Sequence, residues 1–244
     1  MVVIRNFQDK AQTQKAAKES IENLFADIKN VPILFLISGG SCHEITEMLS
    51  DAYCDTRFTL GVVDERYSTD PTINNFDQLS QTGFFKDAIS HGAHAIDTHV
   101  RSDDTIEGFS RRFEDALKEW VLKNPQGISI ALIGIGRDGH IAGMMGYPEN
   151  EQLFKKQFED PDVWVVGYDA GDKNYIPLRV TTTMPFLRKI NHSVLYIQGP
   201  EKQQALLDVF APTGGIYETP GRIIHQMQDC RLFTDQAVVM PGQA

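Results

Sequence analysis

The sequence is poor in cysteine and has no long apolar run. Its three cysteines, Cys42, Cys54 and Cys230, are an odd number without close spacing, which is typical of reduced thiols in a core rather than of a disulfide framework. The longest uninterrupted apolar stretch, about 31–37, is far shorter than the roughly 20 residues of a membrane-spanning helix. The amino terminus does not resemble a signal peptide, because no apolar segment follows a basic one. These features predict a cytoplasmic protein without a membrane partner.

Basic residues are also in short supply. Lysine and arginine number 23 against 33 aspartate and glutamate residues, which gives a formal net charge of -10 at pH 7. A surface of this sign repels nucleic acids, so we expect no nucleic-acid partner. Hydrophobic residues make up 41% of the chain and charged residues 23%, as in an ordinary globular protein. Because no repeat and no long linker divides the chain, we expect a single domain over residues 1–244.

Short apolar runs alternate with segments of helical periodicity. Several runs are apolar at consecutive positions, as buried strands of a parallel sheet are. The predicted strands are Val2–Ile4, Ile33–Ile37, Phe58–Val63, Ile128–Ile135, Val163–Tyr168 and Val194–Gln198. Helices are predicted at about 10–29 and 105–122. The alternation predicts an α/β fold of the doubly wound, Rossmann-like type, with a mostly parallel sheet and helices on both faces.

The first motif is a glycine turn between a predicted strand and a helical pattern. Ser38-Gly39-Gly40-Ser41 directly follows the strand 33–37. Glycines let the backbone turn sharply and approach a ligand, and the start of the following helix favours an anion such as phosphate. Gly39, Gly40 and Ser41 are therefore candidate phosphate-binding residues. The alternative is that the glycines only form a tight turn.

The second motif places three charges at the end of the predicted strand 58–63. Asp64, Glu65 and Arg66 follow this strand, and ligands of open α/β sheets bind at the carboxyl ends of strands. The planar fork of donors on Arg66 suits a phosphate or a carboxylate. Asp64 or Glu65 could orient that arginine, or one of them could act on sugar hydroxyls. The alternative is a solvated loop with local salt bridges.

The third motif is the most informative one. The predicted strand 128–135 runs into the segment Gly-Ile-Gly-Arg-Asp-Gly-His, which ends at His140. Asp138 and His140 are therefore two residues apart on a glycine-rich turn. Histidine can accept and return a proton near neutral pH, and a nearby carboxylate can fix its orientation. The pattern favours catalytic roles for His140 and Asp138 over structural ones.

Two further cations are candidates for binding an anion. Lys202 is predicted in the first turn of a helix that follows Gly199. A cation at that place is unfavourable against the helix dipole unless an anion shares the site, so Lys202 is a candidate phosphate ligand. Arg179, beside a run of β-branched residues, is either a second ligand or a solvated arginine at a strand.

Other segments carry weaker signals. Three histidines and an aspartate lie close together but match no zinc-binding spacing, so we expect no metal site; they are His91, His94, Asp97 and His99. The segments Asp70–Thr82 and Pro212–Gly221 are rich in turn-forming residues, which predicts surface loops, either of which could act as a lid.

In their order along the chain, these motifs resemble the 6-phosphogluconolactonase family, within a superfamily that also contains glucosamine-6-phosphate deaminases. The resemblance extends over about residues 34–205. The segments that carry it are Ser38–Ser41, Asp64–Arg66, Asn75-Phe76, the turn that ends at His140, Arg179-x-Thr181 and Gly199-x-Glu-Lys202. The sequence departs from the family pattern at Cys42-His43, Arg137 and the segment 143–146. The resemblance implies a sugar-phosphate lactone as substrate, no cofactor, a phosphate held by the glycine turn with Arg66, Arg179 and Lys202, and His140 as the base.

The implied reaction is the hydrolysis of 6-phospho-D-glucono-1,5-lactone to 6-phosphogluconate, a step of the oxidative pentose phosphate pathway. We expect His140 to take a proton from the attacking water and return it to the ring oxygen, with Asp138 orienting the site. Two alternatives stay open: a deaminase or isomerase, in which Asp64 would move a carbon-bound proton, and a non-catalytic sugar-phosphate-binding module. Met145 stands where the resembling deaminases carry a catalytic glutamate, and Arg66 where they carry a tyrosine, which favours the lactonase.

Overall fold

Two sheets organise the computed structural model, which describes residues 2–238. Within that range the strands are β1 (Val2–Asn6), β2 (Ile33–Ile37), β3 (Phe58–Val62), β4 (Asp64–Arg66), β5 (His94–Ala95), β6 (Ile128–Ile133), β7 (Val165–Asp169), β8 (Leu178–Thr182), β9 (His192–Ile197) and β10 (Asp229–Thr234). The main sheet has seven strands in the order β1-β10-β9-β6-β2-β3-β5, all paired in parallel. A small sheet pairs β4, β8 and β7 antiparallel. The predicted α/β class with a mostly parallel sheet is confirmed.

Helices fill the connections between these strands. They are α1 (Lys10–Asp27), α2 (Ser41–Thr46), α3 (Asn75–Gln81), α4 (Gly83–Ser90), α5 (Ile106–Lys123), α6 (Glu151–Phe158), α7 (Met184–Leu187) and α8 (Gln203–Phe210), with short 3-10 turns at Asp51–Tyr53, Gly171–Lys173, Pro200–Lys202 and Pro220–His225. The two long helices begin at side-chain caps, since Asp9 and Thr105 accept backbone N–H groups at 2.8 and 3.0 Å. Within residues 2–238, none of these helices combines the length and the apolar character that a bilayer crossing requires.

The direction of winding reverses between β2 and β6. From β2 the chain moves to β3 and β5 on one side, whereas β6, β9 and β10 follow each other on the other side. Because crossovers between parallel strands are right-handed, connections that run in opposite directions lie on opposite faces of the sheet. The fold is therefore doubly wound. A crevice is expected at the carboxyl ends of the strands beside this reversal.

The apolar runs of the sequence form the centre of the main sheet. All five residues of β2 and of β3 are buried. Phe25 of α1 packs edge-to-face against Phe35 and Phe58, with ring centroids 5.1 and 5.0 Å apart. Burying a side chain of this size contributes about 1.5–3 kcal/mol. The core thus holds the carboxyl ends of β2 and β3 in fixed positions.

The small sheet begins where β3 leaves the main sheet. β3 ends at Val62 and β4 starts at Asp64, antiparallel to β8. The predicted strand 163–168 corresponds to β7 of this small sheet, not to a strand of the main sheet. The sequence did not indicate β10 either, because polar and apolar residues are mixed in Asp229–Thr234 and no continuous apolar run marks it.

The prediction of a loop over the whole of Asp70–Thr82 is wrong, because Asn75–Gln81 form α3. The turn-forming Asn74 is the cap of this helix, and its side chain accepts the N–H of Asp77 at 2.9 Å. The side chains of Phe76 and Leu79 lie on the buried face of α3. Residues that favour turns therefore marked the start of a helix here.

Candidate active site

A polar cleft of about 230 Å³ lies at the carboxyl ends of β2, β3, β6 and β9. It is lined by most of the candidate residues from the sequence, namely Gly39, Gly40, Ser41, Asp64, Arg66, His140, Arg179 and Lys202. Asp138 does not line the cleft itself, but its carboxylate contacts His140, which does. Residues that are up to 163 positions apart (39 to 202) therefore share one cleft.

His140 and Asp138 form a close pair. Nδ1 of His140 lies 2.6 Å from Oδ1 of Asp138. An ionised carboxylate only accepts hydrogen bonds, so it favours the tautomer with the proton on Nδ1 and leaves Nε2 as the nitrogen that can accept a proton. Burial tends to raise the pKa of Asp138, but the hydrogen bond and charge of His140 outweigh it and lower that pKa to about 2. Asp138 is therefore ionised at neutral pH.

The turn that carries this pair needs glycine at two positions. A Cβ on Gly136 would lie 2.1 Å from Nδ1 of His140 and 2.5 Å from Oδ1 of Asp138, so another residue would break the pair apart. Gly139 has a φ of +80°, and its Cβ would lie 2.6 Å from a methyl carbon of Thr219. The N–H of Gly136 closes the turn by donating to the carbonyl of His140 at 2.8 Å.

The segment Pro212–Gly221 supports this turn from behind. The N–H of Gly221 donates to the carbonyl of Gly139 at 2.8 Å, and the N–H of Tyr147 donates to the carbonyl of Tyr217 at 2.6 Å. None of its residues lines the cleft, and Asn75 is the one residue of Asp70–Thr82 that does. Neither segment covers the cleft in this structure.

The glycine loop 38–41 forms a second wall. Gly40 has a φ of +67°, which side chains rarely adopt, and it precedes the first turn of α2, where no side chain caps the helix. Uncapped N–H groups at a helix start carry a partial positive charge. The loop thus offers backbone donors to an anion.

Arg66 and Arg179 face each other in the β4–β8 pair. Like charges directly opposite each other in a sheet repel. Asp64 offsets part of this repulsion, because its Oδ2 lies 3.7 Å from Nη1 of Arg179 and both side chains are buried. The two guanidinium groups leave an excess of positive charge in this wall, which suits a ligand with two negative charges.

Lys202 approaches the cleft from the β9 side. It ends the 3-10 turn Pro200–Lys202 and precedes α8, close to the predicted place at a helix start. Its Nζ donates to the carbonyl of Ile135 at 2.8 Å. Burial lowers the pKa of Lys202, and the carboxylates of Glu201 and Asp138 partly oppose this.

Glu65 is fully buried and anchors two residues of the cleft. Its carboxyl oxygens accept the backbone N–H groups of Arg66, Asn75 and Phe76 at 2.8, 2.5 and 2.9 Å. Burial raises the pKa of Glu65 to about 8, against the opposing effect of these donors. Glu65 thereby joins β4 to the start of α3 and holds Arg66 and Asn75 beside each other.

Met145 lies outside the cleft, in the core. Its side chain is 1% exposed. Tyr168 fixes the backbone there, because its O–H donates to the carbonyl of Gly143 at 2.6 Å and accepts the N–H of Met145 at 3.2 Å. Asp64 is close by, since a Cβ on Gly143 would lie 2.7 Å from its Oδ2.

The cleft is also lined by three polar residues to which the sequence analysis assigned no role: Asn75, Asn174 and Tyr175. Asn75 carried part of the family resemblance but no assigned role. Asn174 and Tyr175 belong to the connection between β7 and β8, and Tyr175 is 87% exposed. Only the pairing of β7 with β8 brings this connection to the cleft, and no sequence signal marked that pairing.

The cluster of His91, His94, Asp97 and His99 does not line the cleft. His91 and His99 pair separately with Asp51 and Asp77, at 3.4 and 2.9 Å. Within residues 2–238 no group of three potential ligands is arranged around a metal position. The three cysteines are buried and free, and burial, followed by the charge of Asp64, raises the pKa of the Cys42 thiol.

Fold and cleft together define an α/β protein that places a histidine–aspartate pair beside an anion-binding wall, at the reversal of a doubly wound sheet. A family model described as glucosamine-6-phosphate isomerases/6-phosphogluconolactonase matches residues 8–233. The chain belongs to this family.

Named relatives and solved structures agree with this assignment. The chain is 26% identical over 179 residues to the 6-phosphogluconolactonase of Nostoc sp., which covers 71% of this chain and 69% of the relative. The crystal structure of 6-phosphogluconolactonase from Thermotoga maritima matches with a TM-score of 0.73 at 21% identity, over 97% of this chain and 100% of that one. The enzyme of the same name from Leishmania guyanensis matches with a TM-score of 0.75 at 18% identity, over 100% and 99%. These two likenesses confirm the fold.

Proposed function

We propose that this chain hydrolyses 6-phospho-D-glucono-1,5-lactone to 6-phosphogluconate and needs no cofactor for it. The observation that carries the proposal is the His140–Asp138 pair in the same cleft as Arg66, Arg179 and Lys202. A proton-transfer group next to several cations suits the hydrolysis of an ester on a phosphorylated substrate. The name of the Nostoc relative supports the same reaction.

In the proposed mechanism, His140 acts as base and then as acid. Nε2 takes a proton from water as its oxygen attacks the lactone carbonyl, which gives a tetrahedral oxyanion and an imidazolium. Asp138 keeps Nδ1 protonated and stabilises the imidazolium, since Oδ1 lies 2.6 Å from that nitrogen. When the oxyanion collapses, the bond to the ring oxygen breaks and His140 returns the proton to it. Backbone N–H groups of the glycine-rich turn are the proposed oxyanion donors, apart from those of Gly136 and Gly139, which donate within the turn.

The proposed phosphate site combines the glycine loop with three cations. Gly39, Gly40 and Ser41 supply donors at the start of α2, while Arg66, Arg179 and Lys202 supply charge. In this proposal Asp64 orients Arg179 through their contact at 3.7 Å. Binding the phosphate away from the lactone carbonyl would orient the ring, so that remote binding energy lowers the barrier of the reaction.

Two features favour the lactonase over the isomerase branch of the family. Met145, at the position where the resembling deaminases carry a glutamate, is buried, and a thioether cannot transfer protons. Arg66 lines the cleft where those deaminases carry a tyrosine. The hydrogen-bonded His140–Asp138 pair also favours an enzyme over a binding module without catalysis.

We further propose that the protein works in the cytoplasm as one domain over residues 1–244, with a small sugar-phosphate lactone as its partner. The three free, buried cysteines support a reducing compartment. The pairing of β1 with β10 supports a single domain, because both ends of the described chain belong to one sheet.

The test is direct hydrolysis of freshly generated 6-phosphogluconolactone, followed as acid release in a pH-stat. We expect a rate well above the spontaneous one and no ammonia from glucosamine 6-phosphate. Ammonia release that depends on Asp64, together with lactone opening at the spontaneous rate, would contradict the proposal and assign the chain to the isomerase branch of the family.

The phosphate site has its own test. We expect Arg66→Ala and Lys202→Ala to raise KM for the phosphorylated lactone about tenfold or more, because each removes a charge-assisted hydrogen bond. Hydrolysis of unphosphorylated gluconolactone should change little. Equal effects on both lactones would mean that these cations do not bind the phosphate.

A further inference from the structure

Asn75 places an unpaired hydrogen-bond acceptor in the wall of the cleft. The residue is 1% exposed and lines the cleft. Its Nδ2 donates to the carbonyl of Asp64 at 2.9 Å. Its Oδ1 is buried and has no hydrogen-bond partner within residues 2–238. A buried amide oxygen without a donor is destabilising, so this atom needs an explanation.

The orientation of the amide is determined by its surroundings. The carbonyl of Asp64 can only accept, so the amide nitrogen must face it and the oxygen must face the opposite way. That way lies the glycine loop, since a Cβ on Gly39 would be 2.2 Å from Oδ1. Any side chain at position 39 would cover the oxygen. Glycine at this position leaves the acceptor next to the cleft.

The backbone of Asn75 is held as firmly as its side chain. Its N–H donates to Oε1 of the buried Glu65 at 2.5 Å. With the backbone fixed, turning the amide away would break the hydrogen bond from Nδ2 to the carbonyl of Asp64, so Oδ1 stays at the cleft.

The chemistry of this oxygen selects the part of a ligand that it can contact. An amide oxygen only accepts hydrogen bonds, so it repels the oxygens of a phosphate and requires an O–H or N–H donor. Arg66, which lines the same cleft, provides the donors that a phosphate needs. The acceptor and the cation therefore suit different groups of one ligand.

We propose that Oδ1 of Asn75 accepts a hydrogen bond from a hydroxyl group of the bound sugar phosphate, and that Asn75 is thereby a specificity-determining residue. The inference rests on the proposed function for the identity of the ligand. A ligand without that hydroxyl leaves the buried oxygen unpaired and is rejected, which is how a polar site discriminates strongly between hydroxylated and deoxygenated sugars.

Calorimetric titration of the wild type and Asn75→Ala with two ligands tests the proposal. The product 6-phosphogluconate carries the hydroxyls, whereas inorganic phosphate does not. We expect Asn75→Ala to weaken the binding of 6-phosphogluconate about 10-fold, the effect of one lost hydrogen bond in a buried site, and to leave phosphate binding unchanged. Asn75→Ser replaces Asn75→Ala if circular dichroism shows that the alanine variant does not fold.

Asn74→Ala is the matched control. It removes the cap of α3, and Asn74 does not line the cleft, so thermal stability should fall while both affinities stay at wild-type values. Among 6-phosphogluconate analogues that lack one hydroxyl each, one should bind the wild type and Asn75→Ala equally weakly. That analogue identifies the contacted hydroxyl.

Equal loss of both ligands in Asn75→Ala would show that the side chain only holds the glycine loop, and would overturn the proposal. Binding of both ligands at wild-type affinity in Asn75→Ala would overturn the proposal as well. So would a result in which every analogue binds Asn75→Ala more weakly than the wild type, because no hydroxyl would then depend on Asn75. Failure of the proposed function is a separate result, because it appears as a wild-type chain that does not accelerate lactone hydrolysis.

Discussion

Of the other histidine–aspartate pairs in residues 2–238, the pair of His192 with Asp229 matches the one in the cleft in the exposure of its histidine. His192 and Asp229 are the first residues of β9 and β10 and lie opposite each other in register. Nδ1 of His192 is 2.8 Å from Oδ2 of Asp229, and the side chain of His192 is 27% exposed, the same as that of His140. The pair lies at the amino ends of the strands, on the edge of the sheet that is opposite to the cleft.

The two pairs differ in what surrounds them. Asp229 also accepts from Nη2 of Arg231 at 2.7 Å, so this pair is part of a structural ion cluster. The pair at His140 stands on a glycine turn at the carboxyl end of β6, among cations that line a cleft. Under the proposed function, the contact between histidine and aspartate does not by itself make a pair catalytic. The position of the pair at the sheet decides whether a substrate can reach Nε2 of the histidine.

The largest expected contrast is between His140→Ala and His192→Ala. Loss of a general acid–base typically costs 10²- to 10⁴-fold in rate, so we expect His140→Ala to lose about that factor while it stays folded, with a melting temperature lowered only by the loss of its contact with Asp138. His192→Ala should keep the wild-type rate. Lactone hydrolysis in a pH-stat and thermal unfolding by circular dichroism measure both. Near-normal hydrolysis by His140→Ala would contradict the catalytic role that distinguishes His140 from His192.

A smaller contrast is expected between Asp138→Asn and Asp229→Asn. An asparagine can donate to Nδ1 and so favours the tautomer with the proton on Nε2, which cannot take a proton from water. We expect Asp138→Asn to lower kcat about 10- to 100-fold, as is typical when a carboxylate that orients a functional histidine is lost. KM should change less than kcat, and Asp229→Asn should leave both at wild-type values. A loss confined to KM in Asp138→Asn would contradict the orienting role.

The smallest effect is on stability, and there the two pairs should behave alike. Burial tends to raise the pKa of both carboxyls, but hydrogen bonds and charge outweigh it and lower that pKa, from His140 for Asp138 and from Arg231 followed by His192 for Asp229. A carboxyl with a lowered pKa stabilises the folded state above its unfolded pKa, and this stabilisation is lost as the pH falls. For Asp138 the loss should occur between about 4, the unfolded value, and about 2.

Urea unfolding of the wild type and each asparagine variant, over a series of pH values, measures this effect. The difference in the free energy of unfolding should shrink as the pH falls below about 4, the ordinary pKa of an aspartate. A difference that does not depend on pH would mean that the ionised carboxylates do not stabilise the fold.

The sequence predicted the centre of the sheet well and its periphery poorly. Strands β2 and β3 are buried on both faces and appear as continuous apolar runs. The small sheet has no such signal. The segment Asp64–Arg66 has the composition of a charged loop, and only its pairing with β8 makes it a strand. Pairing between residues more than 100 positions apart depends on the packing of the whole chain, and local periodicity does not report it.

Chemistry concentrated in short motifs was also accessible from the sequence. His140 and Asp138 lie two residues apart, so their contact followed from the motif. The role of Glu65 as an anchor could not be predicted, because it depends on the start of α3 ten residues later. The pairing of His192 with Asp229 joins residues 37 positions apart, and only the register of β9 and β10 brings them together.

The pairing of β1 with β10 has a consequence for the way the protein folds. Val2 lies opposite Cys230 in the parallel register, so one edge of the sheet joins residues from the two ends of the described chain. Closing so long a loop costs conformational entropy before any contact compensates for it, and such non-local pairing slows folding. During synthesis, β1 cannot pair with β10 until residues 229–234 have left the exit tunnel of the ribosome. We therefore expect the docking of β1 to be among the last steps of folding, completed only after synthesis of the strand beside it.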